Sequence, residues 1–162
     1  FSTKHGVVKL ADFGMAGFTG VDGLVRGRCG TTGYVAPEIL RAKANEGYEN
    51  NVDIFSLGVV AYTLLCGYEP FYGRDEAELK VANRESVFDF NSKEWRTVSS
   101  EAKDWICRAL EKNPTFRFKS DEARLHPWLA LVPAKALWVK SDDPTSSSTV
   151  RTLRTSGRCS IS

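Results

Sequence analysis

The stretch from Ile54 to Cys66 is the longest apolar run in the chain, interrupted by Ser56 and Gly58. It is shorter than the ~18 to 20 residues that a bilayer-spanning helix needs, so it is expected to be a buried core helix around which the other elements pack. A chain of 162 residues is long enough for one domain with a real core. Its hydrophobic fraction of 42% and charged fraction of 26% are ordinary for a globular protein. A net charge of +2 gives no argument for nucleic acid or an anionic membrane. Cys29, Cys66, Cys107 and Cys159 are scattered without a C-x-x-C, and the only histidines are His5 and His126. No zinc site is expected, and reduced thiols in a cytoplasmic protein are the default. Phe1 to Gly6 carries no signal-peptide pattern, and the chain is expected to be a piece of a longer one.

Local signals divide the rest. Val7 to Phe13 is apolar and β-branched and predicts a short strand. Gly14 to Arg28 is glycine-rich and predicts a long loop, a class that is usually functional or mobile. Pro37 suits the first turn of a short helix, and Asn50 or Asn51 can cap the apolar helix that follows. Asp75 with Glu78 three residues on has the pattern of a capping box and predicts a helix to about Asn83. Ser99 or Ser100 caps a further helix whose Ala102, Trp105, Ile106, Ala109 and Leu110 fall on one face, and Asn113-Pro114 ends it. Ser120-Asp121-Glu122 opens another helix that stops at His126-Pro127-Trp128. Ser141 to Thr149 is too polar to bury, so disorder is expected beyond residue 130.

A series of short motifs runs in fixed order through these elements. Asp12-Phe13-Gly14 is followed by Cys29-Gly30-Thr31-Thr32-Gly33-Tyr34-Val35 and then by Ala36-Pro37-Glu38. Next come Asp53-Ile54-Phe55-Ser56-Leu57-Gly58, Gly67-Tyr68-Glu69-Pro70-Phe71, Asn113-Pro114-x-x-Arg117 and His126-Pro127-Trp128. Any one triplet is weak evidence, whereas the ordered set is specific. Over about residues 4 to 130 the chain resembles the protein serine/threonine kinases, specifically the calcium/calmodulin-dependent group. The resemblance implies a mainly α architecture: the incomplete C-terminal lobe of the kinase fold, with one short N-terminal strand and a disordered tail. It implies a partial kinase domain over residues 1–130 and a tail over 131–162.

The resemblance also assigns roles. Asp12, Phe13, Gly14, Ala36, Pro37 and Glu38 bracket an activation segment. In such enzymes the aspartate at the position of Asp12 binds magnesium that bridges ATP phosphates, a task that suits a carboxylate because Mg²⁺ wants oxygen ligands. Gly30, Thr31, Thr32, Gly33 and Tyr34 resemble the loop that receives the protein substrate beside its phospho-acceptor, and Thr31 marks Ser/Thr specificity. Glu38 and Arg117 match a buried structural ion pair, and Asp53 a residue that holds the catalytic loop. Catalytic residues proper are not expected here: the glycine-rich loop, nucleotide-contacting lysine and H-R-D-x-x-x-x-N loop come before Asp-Phe-Gly in a kinase. The implied activity is ATP- and Mg²⁺-dependent phosphorylation of proteins by the complete domain, with this part alone inactive. The alternative is a non-catalytic, truncated kinase that acts as a protein-interaction module.

Departures from the family pattern are Thr32 in place of proline and Phe55 in place of tryptophan. No Ser or Thr lies between Thr19 and Thr31, so activation is not expected to need phosphate just before Cys29. Calmodulin is a partner the resemblance suggests but the tail does not support. Trp128 to Trp138 offers apolar anchors, a single cation in Lys135, and Pro133 to interrupt a helix. Cys159-Ser160-Ile161-Ser162 fits a C-a-a-X box of the farnesyl type, with Arg151, Arg154 and Arg158 nearby, which would add peripheral membrane attachment.

Overall fold

A computed structural model describes residues 10–43 and 46–130. Two short strands, β1 (Val25–Arg26) and β2 (Gly47–Tyr48), pair antiparallel with Val25 opposite Tyr48. Helices follow in the order α1 (Pro37–Arg41), α2 (Val52–Cys66), α3 (Glu76–Glu85), α4 (Ser100–Ala109), α5 (Ser120–Leu125) and α6 (Pro127–Ala130), with α1 preceding β2. A 3-10 turn at Lys93–Arg96 lies between α3 and α4. The mainly α architecture expected from the sequence is therefore present.

The apolar run forms α2, the axis of the domain. Phe55 and Val59 on it are fully buried, as are Trp95, Ile106 and Ala109 from the elements packed around it. Gly58 sits where α2 meets α4: a Cβ there would lie 2.9 Å from the Cβ of Ala109 and 2.9 Å from a methyl of Leu110. Glycine inside a helix costs about 1 kcal/mol relative to alanine, and here it permits the close approach of the two helices. Tyr62 and Phe90 each pack a ring 4.6 Å from Trp95, which ties the loop after α3 to the core. Trp105 anchors α4 to the later helices through Phe118 at 5.5 Å and Trp128 at 5.4 Å.

The opposite face of α2 is open, as expected for a core helix whose packing partner in the kinase fold is not part of these residues. Leu57, Val60 and Leu64 lie on one stripe and are exposed, Leu64 by 80%. Among the described residues no element covers this stripe, although a helix apolar on every side normally packs on every side.

Helix ends follow the local signals in two cases. Asp75 caps α3 by accepting from the Glu78 N–H at 2.8 Å, and Ser99 caps α4 by accepting from the Ala102 N–H at 3.2 Å. Asn51 occupies the cap position of α2 but makes no cap bond. It is buried, and its Nδ2 donates instead to the Pro114 carbonyl at 2.8 Å. Two further expectations change. Leu10 to Phe13 is irregular and exposed, while the first part of the expected strand, residues 7–9, lies outside the described residues. The loop from Gly14 to Arg28 instead holds β1, whose partner β2 is supplied from beyond α1. The chain does end α5 at His126, then starts α6 at Pro127. The tail from residue 131, with Cys159, lies outside the described residues. No helix among the described residues is long and apolar enough to cross a membrane.

Candidate functional site

The loop from Gly30 to Val35 leads directly into α1, and backbone bonds from Tyr34 and Val35 N–H to the Thr31 carbonyl fold it on itself. Gly30 has φ of +131°, a conformation that L side chains rarely adopt, and a Cβ there would stand 2.2 Å from Val35 Cγ1. Gly30→Ala is therefore expected to distort the loop and destabilise the domain by at least ~1–3 kcal/mol, read from the urea midpoint. An unchanged midpoint would mean the loop rearranges freely.

Two helices hold the loop. From α2, Ser56 Oγ donates to the Tyr34 carbonyl at 2.9 Å. From α3, Asn83 Oδ1 accepts from the Gly33 N–H at 3.1 Å and its Nδ2 donates to the Val35 carbonyl at 3.0 Å. The Tyr34 hydroxyl donates to Glu69 at 2.8 Å, and that carboxylate together with burial pushes the phenol pKa up. Thr32 Oγ1 is buried with no hydrogen-bond partner among the described residues. A buried unpaired hydroxyl costs about 1–3 kcal/mol, which fits a position where the family usually places an apolar proline.

Beyond the loop, the closing bracket is clamped. Arg117 Nη1 and Nη2 donate to the two carboxylate oxygens of Glu38 at 2.6 and 3.0 Å. The guanidinium also donates to the carbonyls of Glu111 at 3.0 Å and Asn51 at 3.3 Å, and it lies 5.0 Å over the Phe55 ring. Its side chain is wholly buried and that of Glu38 is 16% exposed.

Gly30, Thr31, Tyr34 and Asp53 share a cleft of about 590 Å³ with apolar walls that include Val25 and Ile39. Asp53, on the first turn of α2, is solvent-exposed at this cleft. Asp12, Phe13 and Gly14 are not among its walls. Asp12 takes φ of +64° and its Oδ1 accepts from the Gly14 N–H at 3.2 Å, so the turn closes on itself with the carboxylate exposed. Among the described residues no group of three or more His, Cys, Asp or Glu could hold a metal by itself. A lone exposed carboxylate fits a magnesium ion that draws its other ligands from phosphate and water.

Ser56, Glu69 and Asn83 are the loop's supports that the sequence reading did not single out. Ser56 and Asn83 share one signal, a polar residue inside an otherwise apolar register. Glu69 sits between Tyr68 and Pro70 and has no such mark.

The family model for the protein kinase domain matches residues 1–129. The chain belongs to the protein kinase family. Within it, the chain is 40% identical over 126 residues to myosin light chain kinase A of Dictyostelium discoideum, covering 78% of this chain and 42% of that protein. It is 39% identical over 123 residues to calcium/calmodulin-dependent protein kinase type 1 of Caenorhabditis elegans, covering 76% of this chain and 34% of that protein. These relatives lie in the group that the ordered motifs resemble. The chain spans about a third to two fifths of the length of these curated relatives.

Proposed function

We propose that the chain is the activation segment and peptide-docking part of an ATP-dependent protein serine/threonine kinase. The observation that carries this reading is the loop from Gly30 to Val35. It is held at backbone level by Ser56 and Asn83 and continues into a segment clamped by Glu38 and Arg117. A loop fixed in this way offers an extended peptide a rigid edge without a folding cost at the moment of binding. Thr31 faces the cleft beside it and, by the family resemblance, favours Ser or Thr as acceptor.

Asp12 is the residue that would hold magnesium, with ATP phosphate oxygens and water as the other ligands. When bound there, the metal neutralises charge on the phosphoryl group in transfer. The proton acceptor for the substrate hydroxyl is not among these 162 residues, which contain no H-R-D loop. They supply docking and one metal ligand. The exposed stripe of Leu57, Val60 and Leu64 on α2 is then the face that packs against the rest of the catalytic domain.

The test is transfer of labelled γ-phosphate from Mg-ATP to mixed Ser, Thr and Tyr peptides by the full-length protein. Label on Ser or Thr is expected, and residues 1–162 alone should transfer none. Label on Tyr alone would overturn the acceptor assignment. A full-length protein that bound peptide but transferred nothing would favour the interaction-module reading instead.

A further inference from the structure

Leu79 and Ala82 on α3 pack against the core, and Asn83 continues their face. Register calls for an apolar residue at this position, yet the carboxamide is fully buried. Asparagine in a helix interior lowers helix propensity, and burying it without partners would cost more. Both of its polar atoms are satisfied by one distant segment, Oδ1 by the Gly33 N–H at 3.1 Å and Nδ2 by the Val35 carbonyl at 3.0 Å. The partners are backbone groups, so the contact constrains loop conformation rather than a particular loop side chain.

The end of α3 that bears Asn83 is itself fixed. The Arg41 guanidinium from α1 donates to the Arg84 carbonyl at 2.7 Å. Lys112, beyond α4, pairs with Glu85, and Ser86 Oγ donates to the Leu110 carbonyl at 2.6 Å. A carboxamide on such a mount cannot follow a drifting loop, so the loop conforms to the helix. With Ser56 of α2 holding the Tyr34 carbonyl, one polar group on each of residues 33, 34 and 35 is pinned.

We propose that Asn83 is a positioning residue that sets the backbone of residues 33–35 for docking of the protein substrate. The inference rests on the kinase reading and adds a determinant to it. Asn83 bonds Gly33 and Val35 and not Asp12, the residue proposed to hold the nucleotide's magnesium, so the effect is expected on peptide affinity and not on ATP.

The experiment measures KM for peptide and for ATP in the full-length enzyme and in two variants. Asn83→Leu keeps the volume and removes both hydrogen bonds, leaving a buried N–H and carbonyl unpaired. Its peptide KM is expected to rise about tenfold or more, with ATP KM and the folded fraction at assay temperature unchanged. Asn83→Asp guards against misfolding of the first variant. A protonated carboxyl is isosteric with the carboxamide and donates to the Val35 carbonyl; the carboxylate cannot, and it repels that oxygen. Its peptide KM should approach wild type at low pH and climb as pH rises through the carboxyl's titration, while wild type shows no such climb. Wild-type peptide KM in both variants at every pH would overturn the proposal. So would a loss of peptide and ATP affinity in parallel with the folded fraction. A wild-type enzyme that transferred no phosphate would instead overturn the kinase reading beneath it.

Discussion

Glu38→Ala is expected to destabilise the domain by ~3–5 kcal/mol, a large share of the ~5–15 kcal/mol that holds a typical domain folded. The reason is the partner left behind. The Arg117 guanidinium is wholly buried, and without Glu38 it keeps only the carbonyls of Glu111 and Asn51 and the face of Phe55. Those groups carry partial charge, which does not balance a full one removed from water. Replacing both residues, Glu38→Gln with Arg117→Met, should cost less than Glu38→Ala alone, because no unpaired charge remains. Urea denaturation of the three proteins checks this. A shift under about 1 kcal/mol for Glu38→Ala, the size seen for exposed pairs, would show that water already screens the contact. Because Glu38 lies in the first turn of the helix immediately after the loop from Gly30 to Val35, partial loosening should appear first as protease sensitivity between Thr31 and Pro37.

Much of the helical frame was legible because its signals are local. Asp75 and Glu78 lie three residues apart and mark the start of α3 by themselves, and Ser99 does the same for α4. The run from Ile54 to Cys66 announced a core helix through composition alone. The two strands were not legible: at two residues each they are too short to show alternation, and β1 sits inside a stretch that reads as loop. That α2 leaves an apolar face exposed agrees with the kinase resemblance, in which this helix packs against an element absent from these residues; composition alone does not say which side, Leu57, Val60 and Leu64, it is. Asn51 had the residue type of a cap, yet burial redirected its amide to Pro114, 63 positions away.

The candidate site divides in the same way. The Glu38–Arg117 pair was implied by the family resemblance that the ordered motifs carry, and the two side chains do meet. The supports of the loop from Gly30 to Val35 were not legible in this way. Gly33 and Asn83 are 50 residues apart, and only the folded chain shows that the amide of one meets the carboxamide of the other. A polar residue at an apolar register position is the trace such contacts leave in sequence, and both Ser56 and Asn83 carry it.

Asp12→Asn carries the other large effect. The substitution keeps the size of the side chain and its acceptor for the Gly14 N–H, so the turn and the fold should survive. It removes the negative charge that makes the oxygen a good ligand for a hard cation. Losing one preorganised electrostatic contributor to a transfer reaction costs on the order of 10²–10³ in rate, and phosphoryl transfer leans on its metal heavily. Peptide KM should stay near wild type, because the loop proposed to dock the peptide is held by Ser56 and Asn83 and not by Asp12. The direct measurement is therefore the turnover rate of full-length wild type and Asp12→Asn with Mg-ATP and a serine peptide. A fall of at least about 10²-fold with peptide KM preserved is the predicted result. Equal turnover in the two proteins would contradict the assignment of Asp12 and the account of this chain as the docking and metal-binding half of a kinase domain.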